Sequence, residues 1–370
     1  MNERERFLAT LTFGTPDRVP LEPGWPRRST RDAWHVQGLP GAVGPDGILE
    51  HAYREAGGTH PWPAGEEWMP VNERMIPQFE EKVLERGERT QIVQDWKGNV
   101  CEISNEFSPV YLREAIDFVT RRWIRCPVGS RADWGAMKKR YRADDASRLG
   151  PLTRSADRPL SLSFSGPFWQ MREWLGFERL CTLFIEDPSL AADMTEFWSG
   201  HVAGLLERAL SIAVPDMVRI SEDMAFKGHA MISPAMARTF LLPVWRRWGR
   251  IAREAGCPLY CVDSDGLTDE LIPVWIEAGI NVCEPMEVAA GNDLPALRRR
   301  WGRNMAFRGG IDKRAIARSG RAIEDEIARL EPVIRDGGYV PGCDHGVPPD
   351  VSWPAFVRYI RLLAGATNWL

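Results

Sequence analysis

A (β/α)8 TIM barrel with an N-terminal extension and an inserted hairpin and helix region is the fold this sequence predicts, on three observations. From about Arg158 onward, short apolar runs alternate with helical patterns every few tens of residues, the signature of βα units on a parallel sheet. No GxGxxG opens any of the intervening helices, which favours closure into a barrel over an open dinucleotide-binding sheet. At 370 residues the chain exceeds the usual domain of roughly 100–200, yet α/β barrels run longer as one unit; a single domain over 1–370 is expected, with about 60–150 peripheral.

The elements follow in order. RVPLEPGW (18–25) is read as the first strand. Within the insertion, VQDWKGNVCEIS reads as a hairpin and ADWGAMKKRYRADD as a surface helix. The later strands are PLSLSFSG (159–166), DMVRISED (216–223), PLYCVDSD (258–265), INVCEPME (280–287), NMAFRGGID (304–312) and GYVPGCDHG (338–346). Helical segments lie between them, among them MREWLGFERLCTLFI, SPAMARTFLLPVWRRWGRIAREAG, GLTDELIPVWIEAG, DLPALRRRWG and AIEDEIARLEPVIRDGG. Ser233 and Pro234 supply an N-cap and a first-turn proline for the longest of these, and EAG and DGG close helices on glycine.

Composition narrows the function classes. With 44% hydrophobic and 26% charged residues and a formal net charge of -4, nothing points to nucleic acid or an anionic membrane. No apolar run approaches the ~20 residues that span a bilayer, and MNERERFLATL lacks a signal-peptide core, so a cytoplasmic protein is expected. Seven scattered cysteines without a CxxC pair read as reduced thiols. Of 16 tryptophans, nine lie in the first 174 residues, either as filling between loops or as the wall of a site for a planar ligand.

Barrel catalysis happens at the C-terminal ends of strands. Here those ends carry Ser165, Glu222, Asp223, Asp263, Asp265, Glu284, Glu287, Asp312, Cys343, Asp344 and His345. Strand alternation puts Cys261, Asp263 and Asp265 on one side. Two carboxylates so spaced can chelate a divalent cation, and Glu284, His345 and Cys343 would complete an O/N/S set suited to zinc. The competing reading is that Asp263 and Asp265 cap a helix starting near Leu267. His345, Asp265 and Glu222 are the candidates for acid and base. Arg28, in the Arg27, Arg28, Arg31 group, and Arg172 could orient an anionic substrate or be surface charge. Trp25 and Trp169, in the same two segments, are candidate ring contacts for it.

RERFLATLTFGTPDRVPLEPG, ISEDMAFKGHAMISPAMARTFLLP, CVDSDG, EPMEVAAGNDLPALRRRWG, FRGGIDK and CDHGVPPDVSWPAFVRYI together resemble the uroporphyrinogen decarboxylase superfamily, in order and over nearly the whole chain. The resemblance implies a (β/α)8 barrel and one of two activities. One is cofactor-free decarboxylation of uroporphyrinogen in porphyrin biosynthesis; the other is cobamide-dependent methyl transfer with zinc. The decarboxylase WxMRQAGR-like motif is reduced here to WPRRSTR, its FSDIL-like motif is absent, and GPFWQMREWLG lacks the expected tyrosine. Where the methyltransferases carry HxCG and a late cysteine, this chain has Asp263, Asp265 and His345, with Cys343 two residues earlier.

The expectation is therefore a demethylase or methyltransferase acting on a small methylated, methoxylated or anionic molecule. It would pass the methyl group to a corrinoid, with a divalent metal, zinc for choice, at Asp263, Asp265, Glu284, Cys343 and His345. Without metal, Asp265 and His345 would be acid and base. The partners this implies are a small-molecule substrate, a corrinoid protein and a second copy in a homodimer, with neither nucleic acid nor membrane. Uroporphyrinogen decarboxylation is the runner-up, and a non-catalytic barrel binding a tetrapyrrole or corrinoid is the third reading.

Overall fold

The computed structural model describes residues 1–114 and 120–370. Seven parallel strands form one sheet: β1 Glu67–Trp68, β2 Leu160–Ser165, β3 Met217–Ser221, β4 Leu259–Asp263, β5 Val282–Glu284, β6 Ala306–Ile311 and β7 Tyr339–Cys343. They lie side by side in chain order. Six of them fall inside the runs predicted as strands. Helices between successive strands cover the outer face, where Val218, Ile220, Tyr260, Val262 and Phe307 join the main apolar core.

The inner face is built in layers by strand alternation. At its foot Met217, Leu259, Cys261, Val282, Ala306 and Val340 pack with Phe7 and Leu11 of the helix Glu3–Leu11, which closes the N-terminal end with an apolar plug. Above this floor the inward positions turn polar: Arg219 and Ser221 on β3, Asp263 on β4, Glu284 on β5 and Arg308 on β6. The sheet curls. Arg308 on the sixth strand reaches Glu66, which adjoins β1, whereas five strand spacings of a flat sheet would separate them by about 24 Å.

Two predictions of the first strand are corrected. Residues 18–25 form no strand, because Pro20 and Pro23 have no N–H to give a ladder. The segment lies instead beside β7: Cys343 N–H donates to the Pro23 carbonyl (3.3 Å), and an isolated parallel bridge joins Pro26 to Val347. The observed first strand, Glu67–Trp68, sits within the stretch read as insertion. A ladder of seven strands is thus observed, without backbone pairing between β1 and β7.

The rest of the inserted stretch contains a four-stranded antiparallel sheet, Lys82–Arg86, Thr90–Gln94, Val100–Ser104 and Arg122–Arg125. Its central hairpin is the predicted one. Asp95 turns it by accepting the N–H groups of Lys97 and Asn99, and Gly98 takes the left-handed conformation (φ +88°) that the turn requires. The predicted surface helix is Arg131–Lys138, capped by Ser130 and anchored by buried Trp134 and Met137. Two long predicted helices are each split. Gly176 (φ +82°) separates Pro167–Leu175 from Phe177–Glu186, and Leu241, just before Pro243, separates Pro234–Phe240 from Leu242–Glu254. Among the described residues no helix is long and apolar enough to cross a membrane.

Candidate functional site at the strand ends

A cavity of about 640 Å³ opens at the C-terminal ends of the strands, above the apolar floor. Asp263, Asp265, Glu284, Cys343 and His345, predicted from three strand segments, all line it, and so does Trp25. Trp62 and Trp68 add two more indoles from the loop before β1 and from β1 itself.

The charged wall is one connected network. Arg308 donates to Glu22 (2.7 Å) and Glu66 and lies 3.2 Å from Glu284. Arg219 binds the other oxygen of Glu284 and, at 2.8 Å, Asp263, which also accepts from Ser221 Oγ (3.1 Å). Burial opposes ionisation of Glu284, but the Arg219 and Arg308 guanidiniums outweigh it and hold its carboxyl below the usual range. For Asp263 the balance reverses. Burial pushes its carboxyl up to about 7, aided by Glu284, Asp223 and Asp265 and opposed by Arg219. Burial raises the Glu22 carboxyl too, against Arg308.

At the rim, Gly346 N–H donates to His345 Nδ1 (2.7 Å), which leaves the proton of the neutral ring on Nε2, 3.4 Å from Asp265 Oδ2. The Asp265 carboxylate raises the imidazole above its ordinary value. Asp265 N–H in turn donates to Asp223 Oδ1 (3.2 Å). Asp265 and Asp263 cap no helix, since the next one begins at Ile272 without a side-chain cap.

The predicted metal set does not fit a metal. Both Glu284 oxygens and Asp263 Oδ2, which an inner-sphere ion would need, are already taken by Arg219 and Arg308, and burial pushes the Cys343 thiol up to about 12. Among the described residues no group of three His, Cys, Asp or Glu side chains is disposed to hold a metal ion.

Other predicted residues lie elsewhere. Glu222 is fully buried just past the end of β3 and does not line the cavity. It accepts the Phe168 and Trp169 N–H groups (3.0 and 3.2 Å), the first turn of the helix Pro167–Leu175, and Trp245 Nε1 (2.5 Å). Its role is that of a cap, not of a group in contact with substrate. Burial pushes this carboxyl up to about 8 against those donors. Between about 4.5 and 8 the folded chain keeps a proton that the unfolded chain gives up, so its stability contribution is complete at acid pH and lost as pH rises through that window. Glu222→Gln, which cannot titrate, is expected to shrink the difference between urea midpoints at pH 5 and pH 8.

Arg28 is exposed and donates to Tyr111 (3.3 Å), while Arg172 stacks 4.1 Å from the Trp169 ring centroid and donates to the Asp223 carbonyl (3.2 Å); neither lines the cavity. Trp169 lines a separate, smaller cavity of about 190 Å³ with Glu73, Lys97 and Ser165. Asp312 caps the helix Lys313–Arg318, and Asp344, wholly buried, accepts from the Val288 and Lys313 amides. The residues the sequence reading missed are Glu22, Glu66, Arg219 and Arg308. A signal existed for the arginines: each interrupts an apolar strand at an inward position, where a charge survives only if paired.

No protein-family model matches the chain, and no curated protein does. In fold it is similar to a solved methyltransferase from Methanosarcina mazei, at 12% identity and a TM-score of 0.57, covering 100% of this chain and 98% of that one. That likeness fixes the architecture as TIM-barrel-like. Weaker similarities link it to a B12-independent methionine synthase from Shewanella sp. W3-18-1 (13% identity, TM-score 0.36, 60% and 69% covered). A putative vitamin-B12 independent methionine synthase from Listeria monocytogenes (10%, 0.35, 94% and 96%) is comparable.

Proposed function

We propose that the chain is a methyltransferase that takes a methyl group from a small molecule bound in the strand-end cavity and gives it to an external nucleophile. The observation that supports it over decarboxylation is the charge of the wall. Six carboxyls line the cavity, Glu22, Glu66, Asp223, Asp263, Asp265 and Glu284, against the two guanidiniums of Arg219 and Arg308, both already held by carboxylates. A polycarboxylate such as uroporphyrinogen would meet like charge there, with no open guanidinium among the cavity-lining residues to receive it.

The acceptor, for which a corrinoid on a partner protein is the first candidate, supplies the electron pair that takes the methyl carbon. The chain's own part is to hold the donor between the indoles and the charged wall and, for a donor whose heteroatom would leave as an anion, to supply a proton from the Asp265–His345 pair in its imidazolium form. The test is incubation of the full chain with methylated donors and reduced cobalamin, following the methylcobalamin spectrum and the demethylated product by mass. A parallel incubation with uroporphyrinogen is expected to return it unchanged. Coproporphyrinogen formation without demethylation would reverse the reading, and turnover in neither assay would leave a binding protein.

A further inference from the structure

We infer that the ligand of this cavity is an organic cation whose methyl groups sit on an onium centre, a methylated ammonium or sulfonium. The inference deepens the methyl-transfer reading and depends on it only for the fate of the methyl group; the cation itself follows from the walls.

The first ground is charge. Crediting Asp223 to Arg172 (3.8 Å) and setting Asp265 aside with its partner His345 (3.4 Å) leaves Glu22, Glu66, Asp263 and Glu284, four carboxyls, facing Arg219 and Arg308, two guanidiniums. The wall is two positive charges short. Lys313 does not make up the difference, since it is committed to Glu287 (3.1 Å) and Asp344 (3.4 Å) and does not line the cavity. Nor does Arg27, whose charge is felt at His345 and Cys343 from outside the lining. Burial raises the carboxyls of Glu22 and Asp263, and a cation bound beside them would favour their charged forms.

The second ground is independent of charge counting. Trp25 from one stretch of chain and Trp62 and Trp68 from another meet at the same opening, and Trp25 and Trp68 leave 55% and 46% of their surface uncovered. Indole is the side chain whose ring best attracts a cation, and a weakly hydrated onium gives up little water on contact. Arg219 already stands 6.0 Å from the Trp68 centroid. A small hard metal ion would use neither the rings nor the 640 Å³ of space.

The third ground is chemical. The acceptor's electron pair forms the new bond to carbon while the C–N⁺ or C–S⁺ pair returns to the heteroatom, which leaves as a neutral amine or thioether. No Lewis acid is needed to activate such a leaving group, in keeping with a site that does not fit a metal. A departing amine then takes a proton from the Asp265–His345 pair, which restores a positive charge beside the wall.

Calorimetric titration of the full chain with choline and with 3,3-dimethylbutan-1-ol, its neutral carbon isostere, tests this. Choline is expected to bind at least tenfold tighter, and its binding heat to vary with the ionisation enthalpy of the buffer as protons leave the wall. Asp263→Asn is expected to weaken choline about tenfold and leave the alcohol unchanged, with Trp25→Ala weakening both; far-UV circular dichroism checks that the variants fold. Equal binding of the two ligands, no choline binding, or a preference for 4-methoxybenzoate overturns the inference. If choline is preferred but no onium donor loses a methyl group, the cation site stands and the methyl-transfer reading falls; methyl transfer from a neutral ether without choline preference has the opposite meaning.

Discussion

Arg308→Met is expected to lower the unfolding free energy by about 3–5 kcal/mol, because it leaves Glu22, Glu66 and Glu284 facing one another in the barrel without their shared cation. The deficit should depend on pH in a definite direction. In the parent chain the Glu284 carboxyl is held low, so its contribution is present above about pH 4.5 and lost as pH falls through the folded value. In the variant the three carboxyls are pushed up instead, and the loss should be largest at neutral pH and shrink towards pH 4. Urea midpoints of parent and variant at pH 4 and pH 7 measure this. A constant difference across the range would mean that lost packing of the long side chain, not charge, accounts for it.

His345→Ala is the second large effect. A positioned acid contributes roughly 10²–10⁴ in rate, so kcat for methyl transfer from an ether donor, whose oxygen needs a proton as it leaves, should fall at least a hundredfold, whereas an onium donor, whose heteroatom leaves neutral, should lose far less. Asp265 holds the imidazole above its ordinary value, and activity that needs the proton is lost as pH rises through the pair's apparent value. Asp265→Asn should therefore move that limb of the pH profile to lower pH. It should also remove stability only in acid, since a raised histidine contributes below its unfolded value and loses that contribution as pH climbs. A profile that does not shift would remove Asp265 from this role.

Both effects bear on what the sequence made legible. Strands β2 to β7 could be read because each is an apolar run ended by glycine or an acid, and because alternation fixes which side chains turn inward. The same alternation correctly grouped Asp263 with Asp265, and Asp263, Asp265, Glu284, Cys343 and His345 do share one cavity. The guanidinium partners of Asp263 and Glu284 were hidden for a reason that no spacing reveals: they come from the middles of β3 and β6, not from strand ends. Glu222 looked like its neighbour Asp223, yet one residue of alternation turned it away from the cavity to the start of a helix. The first strand was illegible because Glu67–Trp68 is only two residues long, within a proline-rich stretch that shows no period, whereas 18–25 has the composition of a strand but lacks the donors.

The Arg308 junction ties together two properties of the wall. Glu22 stands in the segment beside β7 and Glu66 beside β1, so the guanidinium that spans them bridges the seam where the ladder has no backbone bonds, and it also sets the charge that a ligand meets. Selectivity and closure of the wall are thus written in the same side chains. A lineage drifting towards a neutral or anionic substrate could not exchange these carboxylates one at a time without opening its own seam. Any such change would have to arrive as compensated pairs, and the charge preference of the cavity should be among the slowest features of this chain to evolve.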